Sequence, residues 1–209
     1  MNHLGTGVLE TERLILRPCV AEDAGAMFRN WAGDPEVTRY MTWPTHTSEA
    51  VSAAVTADWA KEYGKPDFYL WMIVLKELGE PIGSMSVVNA IDDKVQAAEI
   101  GYCIGKRWWH QGVTSEALAR VMDFLFDEVG LQRVSARHDP RNPHSGAVMR
   151  KCGMKYEGTH RRADWNNQGV CDEAVYALLR DERRAVSAPT SPVLTDVSVD
   201  CRDGGEADA

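Results

Sequence analysis

The chain has 209 residues, of which 44% are hydrophobic and 26% charged, the mixture of an ordinary globular domain. This composition excludes a collagen-like repeat, a coiled coil and a wholly disordered chain. The longest apolar run, from Phe68 to Leu75, is far shorter than the roughly 20 residues of a membrane-spanning helix. The first residues also lack the basic and apolar segments of a signal peptide. We therefore predict no membrane partner.

The charge and the metal-binding residue types narrow the class further. The chain carries 23 basic and 31 acidic residues, a net charge of −8, which argues against nucleic acid as a partner and suits a cationic substrate such as an amine. The five cysteines form no CxxC pair, and the six histidines form no metal-binding motif. We predict no metal, no disulfide framework and a cytoplasmic location.

The first half of the chain predicts helices followed by an antiparallel meander. Residues 1–11 are predicted to be a flexible lead-in, and 13–17 a first strand. Apolar residues at helical spacing predict a helix over 21–32, and Thr47 or Ser48 is placed to cap a second helix that ends near Tyr63. Short turns then join three predicted strands: 68–75, 82–88 and 96–104.

The second half changes pattern. A helix is predicted over 113–129 and a strand over 131–137, so that residues 96–137 form a right-handed parallel crossover. A further helix starts with Asn142 as cap and Pro143 as first residue and ends at Gly153. The last predicted strands are 154–157 and 171–179. The prediction is an α/β fold with a mixed, mostly antiparallel sheet, one parallel βαβ step and flanking helices.

The C-terminal segment has a different composition. Residues 185–209 are rich in Ser, Thr, Pro, Asp, Gly and Ala and contain five acidic residues against one basic residue, a charge of −4. We predict one domain over residues 1–184 and a disordered acidic tail over 185–209.

The stretch from Glu99 to Ala117 runs from a strand through a glycine-containing loop into a long helix. The first turn of a helix has backbone N–H groups without partners and a partial positive charge, so it can bind a phosphate. Gly112 lets the backbone approach such a ligand. Many loops of this kind bind nothing, so this stretch alone does not establish a phosphate-binding site.

A second motif lies downstream, between Asp139 and Gly158. It has the pattern N-x-x-S-x-x-x-x-x-K-x-G-x-x-x-E-G, starting at Asn142. Together with the first stretch it closely resembles the GCN5-related N-acetyltransferases (GNAT). The segments Thr11–Pro18 and Asp34–Met41 resemble the branch that acetylates the N-termini of ribosomal proteins. The resemblance extends from about residue 9 to about residue 182.

The resemblance implies that acetyl-CoA is the cosubstrate and that residues of both motifs hold it. The implied cofactor-binding residues are Tyr102, Cys103, Ile104, His110, Gln111, Gly112, Val113, Thr114, Ser115 and Asn142, with Arg150 and Lys151 as candidates for the adenosine phosphates. A solvated helix face is the alternative for Arg150 and Lys151, and a small buried hydrophobe is the favoured alternative for Cys103. His110 stands where the family usually has Gly, and Thr114 where it usually has Gly or Ala.

Two residues are candidates for catalysis. Glu99 is a carboxylate among small apolar residues on a buried strand, and the resemblance places it in the acceptor cleft as a base acting through water. A structural ion pair with an arginine is an equal alternative. The resemblance places Ser145 near the thioester sulfur, where it would protonate the leaving thiolate. Satisfying a backbone N–H in the first helical turn is the alternative role for Ser145.

The implied function is transfer of acetyl from acetyl-CoA to a primary amine, by direct attack in a ternary complex. One alternative is a CoA-binding or regulatory module without turnover, which His110 and Thr114 support. Another is a transferase of longer acyl groups. The acceptor stays open between a protein N-terminus, a polyamine, an aminoglycoside and a small metabolite, and the sequence also permits a homodimer. Four aromatic residues are candidates for the acceptor walls, although core or surface positions are the alternative for the tryptophans: Trp31, Tyr40, Trp43 and Trp165.

Overall fold

A single eight-stranded sheet forms the centre of the computed structural model, which describes residues 1–89 and 91–187. Across the sheet the strand order is β1-β2-β3-β4-β5-β6-β8-β7. In chain order the strands are β1 (Leu9–Glu10), β2 (Leu14–Arg17), β3 (Leu70–Leu75), β4 (Glu80–Val87), β5 (Ala97–Ile104), β6 (Arg133–His138), β7 (Lys155–Asn166) and β8 (Gly169–Leu179). Only β5 and β6 pair in parallel within this sheet, so the predicted mixed α/β fold is confirmed.

The parallel pair separates soon after it begins. Ala97–Glu99 of β5 pair with Arg133–Ser135 of β6, and the pairing stops there. β6 stays paired with β8 as far as His138, and β5 stays paired with β4 as far as Ile104. The two strands therefore diverge, and the β6-facing edge of β5 from Ile100 onward is open between them.

Helices cover both faces of the sheet. Their bounds are α1 (Asp23–Met27), α2 (Pro35–Thr38), α3 (Glu49–Glu62), α4 (Val113–Phe124), α5 (Pro143–Lys151) and α6 (Arg180–Ser187). Helix α1 continues into a π-helical turn, Phe28–Ala32, and α4 into another, Leu125–Val129. The predicted helices over 21–32 and 113–129 are therefore present, each with a wider last turn.

Each face has its own apolar core. The larger core packs α4 against one face of the sheet, with Leu118 and Val121 on Ile100 and Val134. The smaller core packs α1 and its π-helical turn against the other face. Trp31 of that turn and Met72 of β3 are both buried in this core. Alternate residues of β5 thus serve opposite cores, as the period of two in a strand requires.

The N-terminal segment is not the predicted flexible lead-in. Leu9–Glu10 form an edge strand on β2, and Thr6 donates from its hydroxyl to the carbonyl of Phe68 over 2.9 Å. Trp71 donates from Nε1 to the carbonyl of Gly7 over 2.8 Å. These partners lie more than 60 residues away in sequence, so the local pattern of residues 1–11 did not reveal them.

The strand predicted over 154–157 is much longer. β7 extends to Asn166 and pairs with β8 in a hairpin, over residues for which the sequence predicted no strand. The side chains of β7 are mostly exposed, and its pairing shifts register twice. Without a buried face the strand shows no alternation of apolar and polar residues, and the prediction was therefore too short.

The last helix, α6, continues to Ser187, three residues beyond the predicted domain boundary. Most of the predicted acidic tail, from residue 188 onward, lies outside the described residues. Within the described ranges no helix is both long and apolar enough to cross a membrane.

Candidate active site

The diverging strands β5 and β6 open a cleft with a cavity of about 510 Å³. Its walls are the end of β5, the first turns of α4 and α5, and the segment from α2 to Met41. Most of the sequence-predicted site residues border this cavity. They are Tyr40, Tyr102, Cys103, Ile104, His110, Gly112, Val113, Thr114, Ser115, Asn142, Ser145 and Lys151.

The first turn of α4 forms one end of the cleft. Gly112 caps the helix with φ at +74°, a conformation that other residues rarely adopt. Ser115 donates its hydroxyl hydrogen to the carbonyl of Gly112 over 2.9 Å, and Val113 is buried in the larger core. Thr114 is buried but borders the cavity. The N–H groups of this turn therefore face the cleft with no acceptor inside the helix.

A lysine stands against this helix end. A Cβ atom on Gly112 would lie 3.3 Å from the Nζ of Lys151. Among the described residues no carboxylate lies within ion-pair distance of Lys151. A cation beside the positive end of a helix is unfavourable by itself. Both groups suit the same phosphate, so these residues fit the CoA part of the predicted cosubstrate.

Arg150, the neighbour of Lys151, does not border the cleft. Its guanidinium donates to the hydroxyl of Tyr176 over 2.9 Å and lies over the same ring. One residue on a helix turns the side chain by about 100°, which directs Arg150 to the sheet and Lys151 to the cleft. Arg150 is therefore not placed to bind the adenosine phosphates.

Two residues from the start of the chain hold α4 in place. Thr11 donates its hydroxyl hydrogen to the Glu116 carboxylate over 2.5 Å, and Arg13 Nε donates to the other oxygen over 2.7 Å. Burial raises the pKa of Glu116, but the bonds from Thr11 and Arg13 outweigh it and hold the pKa below its usual range. Arg13 also donates to the carbonyl of Gln111. Gln111 does not line the main cavity but an adjoining, smaller one.

The end of β5 and the start of α5 face each other across the cleft. Tyr102 donates its hydroxyl hydrogen to the carbonyl of Ser145 over 2.9 Å, and its oxygen lies 3.1 Å from the Ser145 hydroxyl. Burial raises the pKa of Tyr102, so it stays a neutral donor. Burial also raises the pKa of Cys103 to about 12, which keeps the thiol protonated. Asn142 occupies the cap position of α5, but its side chain makes no capping bond.

Glu99 lies in a charged network outside the cavity lining. Arg137 forms an ion pair with Glu99, with 2.8 Å between its Nε and a Glu99 carboxylate oxygen. A terminal nitrogen of Arg137 donates to Glu173 over 2.5 Å, and a carboxylate oxygen of Asp164 lies 3.9 Å from Nε. Burial raises the pKa of Glu99, against the attraction of Arg137, which lowers it. The ion pair that the sequence offered as an alternative is present. Catalysis by Glu99 stays a prediction.

The predicted acceptor walls are placed unevenly. Tyr40 borders the cavity, whereas Trp31 is completely buried in the smaller core. Trp43 packs on His46 behind the cleft, and Trp165 is 57% exposed on β7. These three tryptophans therefore do not line this cavity. Three aromatic or apolar side chains line it that the sequence did not indicate as acceptor walls: Met41, Trp108 and Trp109.

Trp108 and Trp109 had a signal in the sequence, because they sit between β5 and Gly112 in the motif itself. Trp109 donates from Nε1 to the carbonyl of Ile104 over 3.0 Å and so extends the end of β5 into the cleft wall. His144 was also missed. It borders the cavity one residue before Ser145.

A model of the acetyltransferase (GNAT) domain matches residues 13–155. The chain belongs to the GNAT acetyltransferase family. It is 33% identical to the uncharacterized N-acetyltransferase p20 of Bacillus licheniformis over 176 residues, which cover 83% of this chain and 97% of that protein. It is 25% identical to the [ribosomal protein uS5]-alanine N-acetyltransferase of Escherichia coli over 158 residues, 72% of this chain and 79% of that protein.

The fold matches solved GNAT structures as well. One is RimL, a ribosomal-protein alpha-N-acetyltransferase in complex with coenzyme A, with a TM-score of 0.74 and 22% identity over 84% of this chain and 99% of that one. This likeness shows the fold. It agrees with the mixed sheet and the parallel step of the present GNAT domain.

The tip of the β7–β8 hairpin ties together two walls of the GNAT cleft. Asn167 donates from Nδ2 to the carbonyls of Thr38 and Trp43, each over 2.9 Å, and from its backbone N–H to Met41 over 3.2 Å. Thr38 is the last residue of α2, and Met41 and Trp43 follow the helix. The segment from α2 to Met41 forms one wall of the cleft. The neighbouring Asn166 reaches toward the other wall.

That second contact runs through a buried carboxylate. Asn166 donates from Nδ2 to Asp139 over 2.9 Å, and Arg141 donates to both oxygens of Asp139. Burial raises the pKa of Asp139, but the bonds from Arg141 and Asn166 outweigh it and lower the pKa to about 2. Asp139 is therefore ionised and fixes Arg141 at the rim of the cleft. Within the described ranges, no three His, Cys, Asp or Glu side chains are grouped to hold a metal.

Proposed function

We propose that this GNAT protein transfers an acetyl group from acetyl-CoA to a primary amine. The observation that carries the proposal is the end of the cleft at Gly112. There the free N–H groups of α4 and the Nζ of Lys151 converge, and no described carboxylate neutralises them. Such a site calls for a bound phosphate.

The rest of the cleft suits the remainder of the cosubstrate. The open edge of β5 from Ile100 to Ile104 offers backbone groups to the amide-containing pantetheine arm. Asn142 adds a side-chain amide that is not used for capping. When bound, acetyl-CoA supplies the activated thioester, and its phosphates would lie at Gly112, Thr114 and Lys151.

The reaction needs one proton removed and one supplied. The amine nitrogen attacks the thioester carbonyl carbon, a C–N bond forms, the C–S bond breaks, and the thiolate takes up a proton. We assign that proton to the Ser145 hydroxyl, which is oriented by Tyr102 and recovers a proton from solvent water as it gives its own to the thiolate. Backbone N–H groups of the open β5 edge would stabilise the oxyanion.

The amine must also lose a proton to an acceptor in or beside the cleft. Glu99 was the candidate base, and burial makes it more basic than an exposed carboxylate. Its ion pair with Arg137 and its place outside the cavity lining argue against a role as the base. Solvent water at the rim of the cleft then accepts the proton of the amine.

The experiment is an acceptor screen. The protein is incubated with acetyl-CoA and a panel of amines, and free CoA and acetylated product are measured by a thiol assay and mass spectrometry. Peptides that begin with alanine head the panel, because the Escherichia coli relative is named for such an acceptor. A polyamine, an aminoglycoside and small amino metabolites complete it.

The matched control is Gly112→Glu, which places a carboxylate in the anion site. At 100 times its dissociation constant, acetyl-CoA should stabilise the wild-type fold by about 2.7 kcal/mol and the variant hardly at all. Binding without release of CoA from any amine would favour the module without turnover. Faster release from propionyl-CoA or succinyl-CoA would favour a longer acyl group.

A further inference from the structure

Two imidazole rings from different walls of the cleft meet edge to face. His110 belongs to the loop before α4, and His144 belongs to the first turn of α5. Their ring centroids lie 4.6 Å apart at an interplanar angle of 80°. Both residues border the cavity that also contains Gly112 and Lys151.

Core packing does not account for this pair. Both histidines are exposed, so their contact buries little surface. His110 also has φ at +59°, in the left-handed region that costs a non-glycine residue free energy. Glycine would occupy this position without strain, so the imidazole is retained at some cost to stability.

The charges around the pair are mostly positive. The other titratable or charged groups that line the same cavity are Glu36, Arg39, Tyr40, Tyr102, Cys103, Arg141 and Lys151. Glu36 is paired with Lys106, and Arg141 is paired with Asp139. Lys151 has no such partner among the described residues, and the burial of Tyr102 and Cys103 keeps both neutral. An imidazolium here would face net positive charge until an anion entered the cleft.

We propose that His110 and His144 bind the pyrophosphate of an acyl-CoA and that this binding takes up a proton onto the pair. The proposal rests on the proposed function, because it assigns a role to residues at the phosphate end of that site. The two rings supply N–H donors from two walls. A diphosphate between α4 and Lys151 would provide the negative charge that the site lacks.

The test measures the dissociation constant of dephospho-CoA at pH 6 and pH 8 by calorimetry. Dephospho-CoA keeps the pyrophosphate but lacks the 3′-phosphate monoester, a type of group that titrates near pH 6 by itself. Pantetheine, which has no phosphate, is the control ligand. Histidine changes charge within this pH range. We expect dephospho-CoA to bind about fivefold tighter at pH 6 than at pH 8, because a ligand whose binding takes up a proton gains affinity as the pH falls, and pantetheine to bind equally at both.

Two variants assign the effect to the pair. His110→Gly removes one ring and relieves the positive φ, so the fold is retained, and His144→Gln removes the other ring. In the double variant the ratio of the two dissociation constants should fall to less than twofold. His160→Gln is the matched control, because His160 contacts Glu173 away from the cleft, and it should keep the wild-type ratio.

The outcomes separate the two proposals. Dephospho-CoA that binds at both pH values with no pH dependence, or with a dependence that the double variant retains, overturns the role of the histidine pair and leaves the proposed function intact. Failure of dephospho-CoA to bind at either pH overturns both.

Discussion

Arg137 forms an ion pair with Glu99, with 2.8 Å between Nε and the carboxylate oxygen, and donates a hydrogen bond from a terminal nitrogen to Glu173. The two carboxylates differ in what the network does to them. Burial raises the pKa of Glu99, and Arg137 does not overcome that effect. Burial also raises the pKa of Glu173, but hydrogen bonds from Arg137 and His160 outweigh it, so the net pKa is lowered. One cation thus stabilises Glu173 more than Glu99.

The signs give opposite predictions for the two glutamine substitutions. A raised pKa means that ionised Glu99 opposes folding once the pH exceeds its folded pKa, so Glu99→Gln should keep or raise the melting temperature at pH 7. A lowered pKa means that Glu173 stabilises the fold above its unfolded pKa. This stabilisation is lost as the pH falls through the folded pKa of Glu173. Glu173→Gln should therefore cost about 1.5–3 kcal/mol at pH 7, the value of a hydrogen bond to a charged group. Thermal melts at pH 7 and pH 4 measure both.

The same Glu99→Gln variant also tests catalysis. We expect its turnover per folded molecule to stay within about threefold of wild type, since a true base contributes about 10²–10⁴-fold. A larger loss at pH 7 that recovers at pH 9, where free amine is abundant, would restore Glu99 as the base.

Ser145→Ala should lower turnover by about tenfold or more, because it removes the proposed proton donor to the thiolate. The Michaelis constant for acetyl-CoA should stay near that of wild type. Tyr102→Phe should lower turnover less, because the hydroxyl of Tyr102 only orients Ser145. In steady-state kinetics the double variant should be no slower than Ser145→Ala, since the two residues act as one unit. Additive losses would separate their roles.

Lys151→Ala should weaken acetyl-CoA binding about tenfold, because it removes a charge-assisted hydrogen bond worth about 1.5 kcal/mol or more. Arg150→Ala is the adjacent control. It loses the bond to Tyr176, so its melting temperature should fall while its affinity for acetyl-CoA stays unchanged. Calorimetric titration distinguishes the two, and equal weakening by both variants would argue against a phosphate at Gly112.

Asn167→Ala should loosen the wall of the cleft that runs from α2 to Met41, because three hydrogen bonds join this residue to Thr38, Met41 and Trp43. The side-chain substitution removes two of them, at a cost of about 1–3 kcal/mol in unfolding free energy. The Michaelis constant for the amine should rise while that for acetyl-CoA stays constant. The neighbouring Gln168→Ala is the control, and identical kinetics for both variants would show that the hairpin tip does not shape the site.

Truncation after Ser187 should leave the melting temperature and turnover unchanged, given the low hydrophobicity and acidic charge of the segment beyond it. Truncation after Leu179 also removes α6, whose Arg183 pairs with Asp123 and Asp127 of α4 and its π-helical turn. That shorter chain should melt earlier. A loss of turnover in the first truncation would show that the acidic segment contributes to the active protein.

The sequence predicted the elements that have a strong local signal. Helix α4 was recognisable because its apolar positions repeat at helical spacing and Gly130 ends it with φ at +90°. The parallel step followed from the strand–helix–strand order. The phosphate end of the cleft followed from motif residues that are close in sequence, such as Gly112 and Thr114.

Contacts between distant segments were not predictable in the same way. Trp31 and Trp109 are both aromatic and near predicted site residues. Trp31, in the π-helical turn after α1, is completely buried, whereas Trp109 lines the cavity. Which face of a helix turn is buried depends on the partner surface, and composition does not reveal it. The side-chain hydrogen bonds of Asn167 join residues more than 120 positions apart. Their acceptors are backbone carbonyls, which carry no sequence signature.

The bond between Thr11 and Glu116 has a consequence for the order in which the protein is made. The two residues are 105 positions apart, and a ribosome adds about 5–20 residues per second. The edge strand β1 and the residue that anchors it therefore leave the ribosome about 5 to 20 seconds before α4 exists. Thr11 is therefore synthesised before its partner and gains this bond only once α4 has formed, and during that interval the β1–β2 edge of the sheet lacks its link to α4 and is more open to other chains.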